Sequence, residues 1–130
     1  LDFENKKVYN IEVNATNIAG TSNLITFDIN VTDVVDNAPS LANTNNQSVE
    51  ENATAGTTVI TVETNGTNAD QNTTDSFAIN STDFNISSSG VIQVVNNSLD
   101  FETTPVYHIE VNATNAAGTS NLISFDINVT

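Results

Sequence analysis

Residues 1–32 of this chain, LDFENKKVYNIEVNATNIAGTSNLITFDINVT, return at residues 99–130 as LDFETTPVYHIEVNATNAAGTSNLISFDINVT, 98 positions later and with 26 of 32 residues identical. A period of that length exceeds the roughly 20–50 residues of solenoid repeats, whose units cannot bury a core alone. It has the size of a whole small domain, so the fold must close within about a hundred residues and be able to follow itself along one polypeptide. The stretch therefore reads as an excerpt from a tandem array.

The periodicity inside the repeat is that of strands. In the segment beginning at Tyr107, the apolar residues Tyr107, Ile109, Val111 and Ala113 alternate with His108, Glu110, Asn112 and Thr114, giving one inward and one wet face. Ile123, Phe125, Ile127 and Val129 alternate with Ser124, Asp126, Asn128 and Thr130 in the same way. Asn115, Gly118 and Ser120 supply turn chemistry between them, so the pair reads as an antiparallel hairpin. Shorter strands are expected near 47–50, 57–63, 76–79, 84–86 and 91–95, between clusters rich in Asn, Ser, Thr and Gly. Seven short strands with turn signals between them, and no helical period, predict an all-β, seven-stranded Greek-key β-sandwich.

Charge and composition restrict the partners. The 130 residues hold 16 acids against two basic residues, Lys6 and Lys7, a net charge of -14. Nucleic acid and anionic membrane surfaces need clustered cations, so both are excluded as ligands and cations become the natural partners. There is no cysteine, so no disulfide framework supports so small a core, and a stabilising metal would have to be held by oxygen. No apolar run approaches the roughly 18 residues of a membrane span, so no direct membrane insertion is expected of this segment, and signals for export or anchoring are expected outside it.

The series Ser48-Val-Glu-Glu-Asn-Ala, Gly90-Val-Ile, Leu99-Asp-Phe-Glu, the Tyr107–Ala113 strand, the following Gly118, and Asp33-Val-Val-Asp-Asn-Ala-Pro resembles the cadherin repeat, in the form found in prokaryotic surface proteins. The order and spacing of these elements across one period carry the resemblance, because no single tetrapeptide is specific. It implies a cadherin/immunoglobulin-like sandwich at the cell surface or outside the cell. On its register residues 1–36 are the last two strands and linker of a preceding repeat, and 37–130 form one complete repeat.

The resemblance also gives the carboxylates a role. Calcium takes 6–8 hard oxygens at about 2.3–2.6 Å, and cadherin-like repeats gather them at their ends. By this likeness Asp2 and Glu4 join Asp33, Asp36 and Asn37 of the linker in one structural Ca2+ cluster, and Glu51, Asp100 and Glu102 form half of the next. Some positions depart from the family pattern. Asn65-Gly-Thr stands where an Asp-x-Asp pair is usual, Asn17 and Asn115 stand for an Asp, and Val35 stands for an Asn of the linker. Neutral ligands hold calcium less well, so fewer ions per junction are expected than in a three-ion linker, with Asp70 or Asp75 as substitutes from the loop.

Eleven Asn-x-Ser/Thr sites, at Asn14, Asn30, Asn46, Asn52, Asn65, Asn72, Asn80, Asn85, Asn96, Asn112 and Asn128, exceed the roughly five that 22 Asn and 30 Ser or Thr would give by chance. Asn14, Asn30, Asn112 and Asn128 fall on outward strand positions, as does Asn85 between Phe84 and Ile86, so N-linked glycans could be accommodated. A merely Asn- and Thr-rich surface would look similar. Asn52 adjoins the proposed ligand Glu51.

Catalysis finds no support. The sole histidine, His108, is Asn10 in the other copy, and no cysteine nucleophile, nucleophile elbow or phosphate loop is present. The sequence predicts a non-enzyme: a structural module of a calcium-stiffened, glycosylated extracellular tandem-repeat fibre, stalk or surface filament. Its expected partners are neighbouring repeats of the same array, with self-association into fibres. The alternative is an adhesion module that binds another cell-surface protein or glycan. That role needs exposed anchors, and Phe3, Phe27, Phe77, Phe84, Phe101 and Phe125 are expected mostly at inward or motif positions.

Overall fold

A computed structural model describes residues 1–130, and the chain divides into two units, Leu1–Val34 and Val35–Thr130. The first holds strands β1 (Val8–Val13), β2 (Thr16–Asn17), β3 (Gly20–Thr21) and β4 (Ile25–Asn30). Strands β1 and β4 pair antiparallel with Tyr9 opposite Ile29, Ile11 opposite Phe27 and Val13 opposite Ile25. Opposed residues share a face, so these six side chains form one apolar stripe.

The second unit contains β5 (Gln47–Val49), β6 (Thr58–Thr61), β7 (Ser76–Ile79), β8 (Phe84–Ile86), β9 (Val91–Val94), β10 (Val106–Asn115), β11 (Gly118–Thr119) and β12 (Ile123–Val129). Seven of these are the expected strands, and β11 only closes the turn after β10. One sheet runs β7-β10-β12-β5, with β5 parallel to β12, and the other runs β6-β9-β8. The stretch before β5 serves both sheets: Leu41 bridges Thr64 beyond β6, and the chain then crosses to β12 at Gln47. A single 3-10 turn, Asp70–Asn72, interrupts the loop between β6 and β7. It was not expected from periodicity, because three residues held by the Asn68 side chain accepting from Gln71 N leave no helical pattern.

The two sheets enclose one core. Ile109, Val111, Ile123, Ile127 and Val129 from β10 and β12 meet Phe84, Ile92 and Val94 from β8 and β9, with Leu41, Val62 and Leu99 closing the ends. The Phe84 and Tyr107 rings meet edge-to-face at 5.2 Å and 83°, a favoured aromatic geometry. The β10–β12 register repeats that of β1–β4, with Tyr107 opposite Ile127, Ile109 opposite Phe125 and Val111 opposite Ile123. The surroundings do not repeat. Phe125 is 6% exposed beneath the second sheet, whereas Phe27 is 46% exposed. The alternation that predicts a buried face in the first hairpin is therefore not realised within Leu1–Val34, which has no second sheet to cover it. No helix is long and apolar enough to cross a membrane.

Candidate metal centre

Glu51 follows β5 in a tight turn whose backbone is fixed at two points. Its own N–H donates to the carbonyl of Thr130 at 2.8 Å, and the N–H of Asn52 donates to the carbonyl of Leu99 at 2.9 Å. Asn52 adopts φ +57°, the left-handed conformation that Asn tolerates better than most residues. These bonds set Glu51 against the segment Leu99-Asp100-Phe101-Glu102. That segment is itself a turn, closed by Thr104 N donating to Asp100 C=O at 2.9 Å. Leu99 is buried and anchors it, so the acids are carried at the rim of the core on short, tied backbone.

The result is three exposed carboxylates, from Glu51, Asp100 and Glu102, with oxygens all within 4.8 Å of one another. Two oxygens bound to one calcium at about 2.3–2.6 Å lie no more than roughly 5 Å apart, so this donor set fits a calcium ion in chemistry and spacing. Asp100 is already oriented: Oδ1 accepts from Glu102 N at 3.0 Å and Oδ2 from the Thr103 hydroxyl at 2.7 Å. The Thr103 hydroxyl, ahead of the other local donors, holds the Asp100 carboxyl below its ordinary value, so it is anionic at neutral pH.

In the first unit the corresponding Asp2 accepts from Asn5 N at 3.1 Å, and Asn5 stands where the second copy has the hydroxyl of Thr103. The carboxylates of Glu4 and Asp33 come within 4.8 Å of each other there. In the second unit Asp36 is exposed; its N–H donates to Asp70 Oδ2 at 2.9 Å and its Oδ1 accepts from the Asn37 side chain. Asp70, considered in sequence only as a substitute ligand, is 2% exposed and holds the start of this segment against the 3-10 turn.

Asn115 departs furthest from its expected role. It reads in sequence as a weak neutral ligand replacing an Asp, but its Nδ2 donates to the carbonyls of Asn37 at 2.9 Å, Asp70 at 3.1 Å and Thr73 at 3.3 Å. Its Oδ1 accepts from Ala117 N and Gly118 N. Both ends of the amide are thus committed to scaffolding. The one sequence signal for this is Asn17, whose Oδ1 makes the equivalent bond to Ala19 N at 2.8 Å. Asn65-Gly-Thr67 is likewise occupied, with Asn65 Oδ1 accepting from Ser40 and Thr67 donating to Gln71.

The remaining predicted residues sort clearly. His108 Nδ1 lies 2.6 Å from Asp126 on the outer face, and Asn10 donates to Asp28 at 2.9 Å in the first copy, so the imidazole occupies a surface cross-strand pairing position. Phe101, in the Leu99-Asp-Phe-Glu motif, is 48% exposed, because the Asp100–Thr104 turn carries it away from the core that Leu99 enters. Of the sequon asparagines expected to point outward, Asn112 and Asn128 are half-buried and the others are exposed.

A sequence profile described as the cadherin domain matches residues 45–130. Among solved structures the chain resembles chicken VE-cadherin EC1-2, at 29% identity and TM-score 0.74, covering 100% of this chain and 70% of that one. It also resembles the protocadherin GammaB4 extracellular domain, at 27% identity and TM-score 0.78, covering 99% of this chain and 22% of that one. Mouse clustered PcdhgC3 EC1-3 shares the fold at 21% identity and TM-score 0.73, with 100% of this chain and 45% of that one covered. No curated protein sequence matches the chain. The profile spans well over half of the chain, and the strand order, the repeat and the Glu51, Asp100 and Glu102 triad accompany it: this chain belongs to the cadherin domain family.

Proposed function

We propose that this chain is a structural module of a calcium-stiffened extracellular tandem-repeat fibre, stalk or surface filament, with residues 1–36 the end of one repeat and 37–130 the next. The family sets the coarse frame: cadherin domains are extracellular adhesion and structural modules, they generally bind calcium, and they are not enzymes. The finer reading rests on the carboxylate triad of Glu51, Asp100 and Glu102. Three like charges held this close repel, and a divalent cation turns that repulsion into attraction. Asp2, Glu4, Asp33, Asp36 and Asn37 are proposed as the ligands contributed around the linker. The near identity of residues 1–32 and 99–130 favours a role in which each module supplies length rather than a distinct binding surface. The excess of sequons supports a glycan coat that hydrates a strand-rich surface.

Calcium titration tests this reading. A ligand that binds only the folded state stabilises it by about 2.7 kcal/mol at a concentration 100 times its dissociation constant. Calcium is expected to raise the unfolding midpoint and to slow proteolysis near Val34–Pro39. Glu51→Gln with Asp100→Asn should abolish the shift of the second unit, and a midpoint indifferent to chelator would defeat the proposal.

One observation favours the alternative of an adhesion module: Phe101, beside the triad, is an exposed aromatic of the kind that anchors a partner. Phe101→Ser should then reduce binding to a cell surface or to a second copy while leaving the calcium shift intact.

A further inference from the structure

We infer that the hydrogen bonds of the folded chain divide its sequons into glycan acceptors and structural amides, with Asn85 an acceptor and Asn72 unmodified. This rests on the glycan part of the function proposed above and goes beyond it by naming the sites. N-glycosylation forms a bond from Asn Nδ2 to the anomeric carbon of a sugar. The carbon–oxygen bond to a phosphate-activated donor breaks, the phosphate leaves with the electron pair, and Nδ2 loses one proton. A modified asparagine therefore keeps a single Nδ2 hydrogen, and the sugar takes the place of the other.

Asn72 cannot meet that condition in this fold. Its Nδ2 donates to Gly66 C=O at 2.9 Å and to Asn68 C=O at 2.8 Å, using both hydrogens, and its Oδ1 accepts from Gly66 N at 2.9 Å. The amide clamps the loop between β6 and β7, where a Cβ on Gly66 would lie 2.1 Å from that of Gln71. Asn80 extends the β7–β10 ladder through its side chain, accepting from Glu110 N at 2.8 Å and donating to His108 C=O at 3.2 Å. Asn128, half-buried, donates to Gln47 C=O at 3.1 Å across the parallel β5–β12 pair; Asn80 and Asn128 each commit one Nδ2 hydrogen, so the condition excludes neither.

Asn85 is the opposite case. It sits exposed at the centre of β8, between buried Phe84 and half-buried Ile86, and its side chain makes no hydrogen bond. Strand β8 is an edge of the β6-β9-β8 sheet, so a sugar here would stand beside an unpaired backbone edge and hinder pairing with other chains. Asn14, Asn30, Asn52 and Asn112 are also without side-chain hydrogen bonds, and Asn46, Asn65 and Asn96 engage only Oδ1. Their Nδ2 hydrogens are all free.

Cleavage after aspartate followed by mass spectrometry of the natural protein separates the cases, because Gln71–Asp75 carries only Asn72 and Ser76–Asp83 only Asn80. The expected result is sugar at Asn85, told apart from Asn96 by fragmentation of their shared peptide Phe84–Asp100, and an unmodified peptide at Asn72. Sugar on Asn72 of folded protein would overturn this assignment while leaving the glycan coat standing, whereas no sugar at any sequon would remove both. In unglycosylated recombinant protein, Asn72→Asp should shift the folding equilibrium roughly tenfold towards the unfolded state, and Asn85→Asp should leave it unchanged. An Asn72→Asp chain as stable as the parent would also refute the structural role.

Discussion

The side-chain amide of Asn115, at the end of β10, donates to the main-chain carbonyl of Asn37 at 2.9 Å, across 78 positions of sequence. The same amide reaches Asp70 and Thr73, so one buried asparagine ties the start of the second unit to the 3-10 turn. An aspartate here would face these carbonyls with oxygens alone. Removing a buried donor leaves its acceptors unpaired, at about 1–3 kcal/mol. Asn115→Asp and Asn115→Ala are each expected to lower the stability of the second unit by about 2 kcal/mol in urea unfolding, and a loss under about 0.5 kcal/mol would contradict the scaffolding role.

This residue marks where sequence reading reaches its limit. The strands were legible because β10 and β12 face the core on one side only, so Ile109, Val111, Phe125 and Ile127 announce themselves by alternation. The triad was legible through family resemblance, because Glu51, Asp100 and Glu102 lie in short motifs. Asn115 and Asp70 were not. Their roles depend on which carbonyls and N–H groups converge on them from distant segments, and neither spacing nor composition encodes that.

Phe125 and Phe27 provide an internal comparison. Truncating a buried phenylalanine costs about 3–5 kcal/mol through lost transfer energy and the cavity left behind. Phe125→Ala should destabilise the second unit by that amount. In the 130-residue chain Phe27→Ala, at the same position of the first hairpin, should leave the main denaturant transition within about 0.5 kcal/mol of the parent, whereas in an array whose preceding repeat is whole it should cost as much as Phe125→Ala. Equal effects in the 130-residue chain would show that the first hairpin's face is covered in solution.

Two glycines separate backbone conformation from crowding. Gly56 and Gly90 have φ of +86° and +79°, and a Cβ would meet nothing within 4 Å at Gly56 but would lie 2.7 Å from the Val62 carbonyl at Gly90. The left-handed conformation alone costs an L residue about 1–2 kcal/mol. Gly56→Ala should lose about that much. Gly90→Ala should lose about 1–3 kcal/mol more, because Val62 N–H donates to the Gly90 carbonyl at 2.9 Å and cannot shift without breaking that bond. Chemical denaturation of the two variants checks the order.

Tyr107 makes a prediction about alkaline pH. Burial against Phe84, with the Asp83 carboxylate as the second cause, raises the phenol above its ordinary value of 10.0. A group with a raised folded value binds its proton more tightly in the folded state. Its contribution is fully present below pH 10.0 and is lost as pH climbs from there through the folded value. Tyr107→Phe keeps the ring packing but removes the titration. Its stability should match the parent within about 1 kcal/mol at neutral pH and fall less steeply above pH 10.0. Parallel alkaline limbs for Tyr107→Phe and the parent would show that this phenol is not the group that matters.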